Sequence, residues 1–153
     1  MPCMADDLTH LDASGAARMV DVGDKDVTRR EASARALVRL PAVCLDLLRS
    51  GGETKKGNVF QVARLAGIQA AKRTSDLIPL CHLLPLDGVR VDLDLDGTHC
   101  RITTTVRCTG RTGVEMEALT AASVAALTVY DMLKGLSHDL VIEGVELLAK
   151  TGG

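Results

Sequence analysis

Aromatic side chains are nearly absent from this chain: no tryptophan, one phenylalanine (Phe60) and one tyrosine (Tyr130) in 153 residues. Binders of single-stranded RNA or DNA stack bases on such rings, so that class loses its platform. An excess of one charge is lacking too. Eighteen Lys and Arg against twenty Asp and Glu leave a net charge of −2, and no global field draws a polyanion. The uncharged stretch 118–130 holds thirteen residues, whereas a helix needs about 20 apolar residues to cross a bilayer. The five cysteines (Cys3, Cys44, Cys81, Cys100, Cys108) include no Cys-x-x-Cys pair, and their odd number argues against a disulfide framework. The first residues, M-P-C-M-A-D-D, carry neither the basic nor the apolar region of a signal peptide. These absences point to a cytoplasmic protein with no membrane and no nucleic-acid partner. The length predicts one domain, residues 1–153, with a loose N-terminal arm over 1–17.

What is present centres on T-G-V-E-M-E-A-L-T-A-A-S-V-A-A-L-T-V-Y-D-M-L-K, residues 112–134. Thr112-x-x-Glu115 has the spacing of a capping box, and Gly135 is suited to a left-handed helix end. Between them the pattern predicts a helix buried on all sides, with carboxylates at both ends. Glu115 and Glu117 lie where the helix dipole favours anions. Asp131 lies where it does not, one turn before Lys134 on the same face. That pair is either a surface ion pair worth roughly 0–1 kcal/mol or a tuned proton-transfer pair. Glu117 and Asp131 are fourteen residues apart, about 21 Å along a helix. One small ligand cannot reach both ends of one copy, so either one end is functional or two subunits share a site.

The remainder reads as alternating elements. Met19–Val22 is a short extended piece ending at Gly23. Ala32, Ala34, Ala36 and Val38 alternate with Ser33, Arg35, Leu37 and Arg39, which favours a strand over 29–40. Pro41 opens a short helix to about Ser50. G-E-T-K-K-G-N (52–58) has half of a P-loop, but Asn58 and Val59 stand where Lys and Ser or Thr are required. Asn58 with Gln61 instead starts a helix to about Thr74. Gly67 inside it costs about 1 kcal/mol relative to Ala, which implies close approach of another backbone. D-L-I-P-L-C-H-L-L-P-L (76–86) is broken by Pro79 and Pro85, yet apolar enough to be expected against something. His82 in its middle is either a satisfied buried group or an anion contact. Val89–Leu95 and Ile102–Val106 form a hairpin about Asp96-Gly97, and 140–148 a last strand. The order strand, helices, strand, strand, helix, strand is that of an α+β, ferredoxin-like βαββαβ fold with helices on one face of an antiparallel sheet.

A-G-I-Q-A-A-K-R-T (66–74), L-I-P-L-C-H (77–82) and 112–134 closely resemble the cyclic pyranopterin monophosphate synthase family, the molybdenum cofactor biosynthesis protein C family. Leu8-Thr9-His10, Met19–Val22 and Lys56-Gly57 fit the same pattern, so the resemblance spans roughly 8–152. It implies a ferredoxin-like lyase that converts 3′,8-cyclo-7,8-dihydro-GTP to cyclic pyranopterin monophosphate and pyrophosphate. The assembly implied is a homohexamer, a trimer of dimers with sites at the dimer interface. Carried over residue by residue, Asp131, Lys134 and Lys56 are catalytic, with Lys56 expected to reach Lys134 from across the interface. Leu80, Cys81, His82, Met116 and Glu117 fall on substrate-contacting segments; Glu115, Lys72 and Lys150 take supporting roles. No cofactor and no protein-bound metal are expected, with magnesium carried on substrate phosphates. Leu83 stands where the family usually has proline. A non-catalytic nucleotide-binding module of the same fold is the competing expectation, separated by turnover of the cyclic dihydro-GTP.

Overall fold

The computed structural model describes residues 10–152. Cys3, Leu8, Thr9 and the first part of the expected arm lie outside the described residues. Among the described residues six strands and four helices run in the order β1 (Thr28–Arg39), α1 (Ala42–Arg49), β2 (Glu53–Thr54), β3 (Gly57–Asn58), α2 (Val59–Lys72), α3 (Thr74–Leu77), β4 (Leu86–Asp96), β5 (His99–Gly110), α4 (Glu115–Leu133) and β6 (Val141–Thr151). The main sheet is antiparallel in the order β4-β5-β1-β6, which is the ferredoxin-like arrangement.

The alternation in β1 translates directly into faces. Ala32, Ala34, Ala36 and Val38 are buried under the helices, paired across the ladder with Val106, Thr104, Ile102 and Cys100. Small side chains on β1 let α4 lie close to the sheet. Thr104 Oγ1 donates to the Ala118 carbonyl at 2.7 Å, tying α4 to β5 through a buried hydroxyl. Gly67 serves the same closeness between helices: a Cβ there would meet the Ala121 carbonyl at 3.2 Å and Ala125 Cβ at 3.3 Å. Asn58 caps α2 by accepting from Gln61 N at 3.1 Å, and Pro41 occupies the N-cap of α1.

Several expectations are corrected. The Thr112–Glu115 capping box does not form: α4 starts at Glu115 with Val114 as its N-cap and no side-chain cap. Gly135 is not left-handed; the helix ends on Lys134 in right-handed geometry, and Leu136 N bonds the Leu133 carbonyl. Nor is α4 buried on every side. Its Ala118–Met132 face packs in the core while Leu127 is 57% exposed. By length and composition α4 would suffice for a membrane span, but in this fold it is the central core helix. Met19–Val22 joins no strand, and residues 76–77 belong to the short α3. In the apolar segment after it Leu84 and Leu86 pack on the core, yet Leu83 is 79% exposed. Residues 10–17 hold a turn in which Asp12 Oδ1 accepts from the Ser14 and Ala16 amides, closed by a Leu11–Ala17 bridge.

Candidate active site

The two ends of α4 open into two separate clefts. At its C-terminal end, a cleft of about 770 Å³ is lined by Lys56, Asp131, Lys134 and His138 over an apolar floor of Leu47, Met132 and Leu136. Lys56 stands there because β2 and β3 form a hairpin whose two-residue turn is Lys55-Lys56. Gly57 closes that turn at φ +117°, a conformation that side-chain-bearing residues rarely adopt. Thr54 Oγ1 accepts from Lys56 N at 3.1 Å and donates to the Gly57 carbonyl at 2.8 Å. The tip therefore presents Lys56 to the end of α4.

Asp131 is held between two lysines. Lys134 Nζ lies 2.8 Å from Oδ1, and Lys56 Nζ lies 3.6 Å from Oδ2 and 3.4 Å from the Asp131 carbonyl. The hydrogen bond and charge of Lys134, then the charge of Lys56, hold the Asp131 carboxyl below its usual range. In return the hydrogen bond and charge of Asp131 raise Lys134 above the ordinary ammonium value. Lys56 and Lys134 thus meet within one chain, and no interface has to bring them together as the sequence reading expected.

At the N-terminal end a smaller cavity of about 210 Å³ collects Leu80, Cys81, His82, Glu115, Met116 and Glu117. Glu117 is 4% exposed. Burial, and secondarily the Glu115 charge, push its carboxyl up to about 7, against the bond from its own backbone amide. Burial first, then the Glu117 and Glu115 carboxylates, push the Cys81 thiol up as well. Lys150 Nζ lies 3.4 Å from Glu115 Oε1, whereas Glu115 Oε2 is buried with no partner among the described residues. His82 Nε2 donates to the Val20 carbonyl at 2.5 Å.

Ten of the eleven residues singled out from sequence therefore fall in or beside these clefts, Lys150 through its pair with Glu115. Lys72, exposed at the last position of α2, lines neither. Lys25 and Gly113 in the smaller cavity, and Lys55 and His138 in the larger cleft, carry no role in the sequence reading, and Thr112, also in the smaller cavity, enters it only as a helix cap. No local spacing signals Lys25, because the contact that folds its segment over the cavity links Val20 to a residue 62 positions away. His138 had a weaker signal, a titratable group in the turn just after α4. Among the described residues no three His, Cys, Asp or Glu side chains converge as a metal-ligating group.

Comparison with known proteins places this arrangement. A protein of Herpetosiphon aurantiacus called cyclic pyranopterin monophosphate synthase is 60% identical over 148 residues, covering 95% of this chain and 90% of that protein. One of the same name from Chloroflexus aggregans is 58% identical over 150 residues, with 97% and 90% covered. The profile of the MoaC family matches residues 19–153, a span that includes β1 to β6 and every lining residue of the two clefts except His10, so the chain belongs to the MoaC family.

Proposed function

We propose that the chain converts 3′,8-cyclo-7,8-dihydro-GTP to cyclic pyranopterin monophosphate with release of pyrophosphate, a step of molybdenum cofactor biosynthesis in the cytoplasm. The observation that carries this reading is the Lys56–Asp131–Lys134 cluster at the C-terminal end of α4, in a chain about 60% identical to proteins that bear the synthase name. The reaction needs proton transfers to open the purine-derived ring and close the pterin, while a ribose hydroxyl attacks the α-phosphate and pyrophosphate leaves. Lys134, kept charged by Asp131, donates a proton in ring opening; Asp131 orients it, and Lys56 assists at the reacting centre. No redox cofactor is required, because the conversion is redox-neutral.

Distance supports a composite site. Glu117 and Asp131 bracket four turns of α4, about 21 Å, and a substrate of nucleotide size cannot touch both clefts of one chain. In the proposed homohexamer, a trimer of dimers, the cluster of one protomer faces the Glu115–Met116–Glu117 cavity of its partner. Leu80, Cys81 and His82 add substrate contacts there, and Lys150 sets the Glu115 carboxylate. Lys72 approaches substrate only through such an interface. Magnesium is carried on the substrate phosphates, held by charge-assisted contacts and not by a protein cage.

The test is turnover. Purified protein incubated with the cyclic dihydro-GTP gives a product that fluoresces as a pterin after oxidation, with one pyrophosphate per product. Binding of the nucleotide without fluorescence or pyrophosphate would instead mark a non-catalytic nucleotide-binding module.

A further inference from the structure

The chemistry proposed for the larger cleft needs a proton acceptor as well as a donor. Ring opening draws a proton onto a substrate nitrogen. Ring closure forms a new nitrogen–carbon bond, and the nitrogen that makes it must shed a proton to end neutral. Lys134 suits the first step, because the hydrogen bond and charge of Asp131 raise its ammonium above the ordinary value. A group held charged in that way gives a proton and is a poor collector of one. The bonds broken and made are different, so the acceptor need not be the spent donor.

The titratable side chains lining this cleft are Glu53, Lys55 and Lys56 from the β2–β3 hairpin, Asp131 and Lys134 from α4, and His138 from the turn after it; α1 contributes only Leu47. Three of these are ammonium groups, which have no lone pair to offer. The Asp131 carboxylate faces two of them at 2.8 Å and 3.6 Å and lies below its usual range, so it is a weaker base than a free carboxylate. Glu53 Oε1 accepts from Asn58 Nδ2 at 2.8 Å at the foot of the hairpin. His138 is left. It forms no ion pair among the described residues, and imidazole is the side chain that exchanges its proton between about pH 5 and pH 8.

The turn that carries His138 is braced. Tyr130 Oη donates to the His138 carbonyl at 3.5 Å, tying the turn back to α4. Leu136 N bonds the Leu133 carbonyl at 2.9 Å, Ser137 Oγ accepts from Asp139 N at 3.1 Å, and Leu140 is buried just beyond. These contacts set the backbone around His138, while the residue itself stays exposed at the cleft wall. A proton captured there passes readily to water.

We infer that His138 is a further catalytic residue of this cleft, the base that takes the proton released as the new ring closes. The nitrogen–carbon bond forms, the N–H bond breaks, and the proton moves to the neutral imidazole, which then loses it to water. Lys134 is recharged from water in turn, so the cycle is proton-neutral and no electron changes hands. The inference rests on the proposed function for the reaction itself.

His138→Gln and His138→Ala test this in the full-length protein. Both are expected to fold and assemble like wild type, and to lower kcat about a hundredfold with KM changed less than about threefold. Imidazole added to His138→Ala is expected to restore part of the lost rate. In a series of substituted imidazoles at one pH, the rate per free base is expected to rise with basicity, the signature of a proton acceptor. A rate that rises instead with the acidity of the imidazolium makes His138 a donor and overturns the assignment. Wild-type kcat in His138→Gln overturns it too, as does a slowed, folded His138→Ala that no imidazole rescues. Where His138→Ala does not fold, the kcat of His138→Gln decides alone. A wild-type protein that fails to turn over the cyclic dihydro-GTP sinks the proposed function and this role together; active wild type with an equally active His138→Gln sinks this role alone.

Discussion

Lys134 Nζ lies 2.8 Å from Asp131 Oδ1, one helical turn back, while the other carboxylate oxygen faces Lys56 Nζ at 3.6 Å. One carboxylate therefore serves two ammonium groups, and its negative charge keeps Lys134 protonated well above neutrality. A lysine tuned in that direction is a proton donor and a poor base. Lys134→Ala is expected to lower turnover by about 10²–10⁴-fold, the usual reach of a general acid. Asp131→Asn will be nearly as damaging. Lys134→Arg decides the role, because arginine keeps the charge and the partner but does not give up its proton. Wild-type turnover in Lys134→Arg, with circular dichroism unchanged, would reduce the lysine to a fixed charge.

Separation of the clefts makes the shared site testable by mixing. A variant disabled at one end of α4, Glu117→Ala, and one disabled at the other, Lys134→Ala, are each expected to be inactive. Unfolded together and refolded, they form mixed dimers in which one of two composite sites is wild type. Random pairing predicts recovery of about a quarter of wild-type activity. Mixing that restores nothing, while both variants still assemble, would place each whole site within a single chain.

Glu117 links that cavity to stability. Its carboxyl has an ordinary value of 4.5 and is pushed to about 7 in the fold, chiefly by burial. The folded state therefore holds a proton that the unfolded chain has already lost between those values. Unfolding free energy is predicted to fall as pH rises from about 4.5 through 7, by at most roughly 3 kcal/mol from this group. Glu117→Gln removes the titration, so its stability curve will be flatter over that window and its advantage over wild type greatest above pH 7. Denaturant melts at pH 5 and pH 8 measure the difference. Equal slopes for the two proteins would show that Glu117 titrates normally.

The sequence exposes most clearly what short-range periodicity controls. The alanines of β1, the Asn58 cap and the tight approach at Gly67 appear as read, while the hairpin turn falls one residue later than expected, on Gly97-Thr98, because Asp96 still pairs with His99 in the ladder. The ends of α4 do not, because long-range partners decide them. Glu115 satisfies the spacing of a capping box, but its carboxylate turns to Lys150, 35 residues away, and the Thr112 hydroxyl gains no capping bond. Lys56 and Asp131 are 75 residues apart and meet through a hairpin tip. Lys25 reaches the cavity through a fastening to His82 that no local pattern encodes. Titratable residues at the helix ends are legible as candidates; which cleft each one serves is a property of the tertiary fold.

Two glycines separate packing from function. Gly67 and Gly113 both have backbone conformations open to alanine, so the outcome depends on what the added methyl meets. At Gly67 it meets Val91 Cγ2 at 3.1 Å, the Ala121 carbonyl at 3.2 Å and Ala125 Cβ at 3.3 Å. Replacing a mid-helix glycine gains up to about 1 kcal/mol of propensity, but overpacking a close interface costs about 1–3 kcal/mol. The Ala121 carbonyl belongs to α4 and cannot step aside alone, so Gly67→Ala is predicted to destabilise by about 1 kcal/mol net, with KM and kcat unchanged. At Gly113 the methyl collides with the Glu115 carboxylate, the far end of a flexible side chain. Glu115 will swing away, loosening its pair with Lys150 at the rim of the cavity, at a stability cost within about 0.5 kcal/mol. Gly113→Ala is therefore expected to melt like wild type and raise KM, the reverse of Gly67→Ala. Thermal melts and steady-state kinetics on the same two preparations check both; a Gly113→Ala protein with wild-type KM would remove Glu115 from the substrate site.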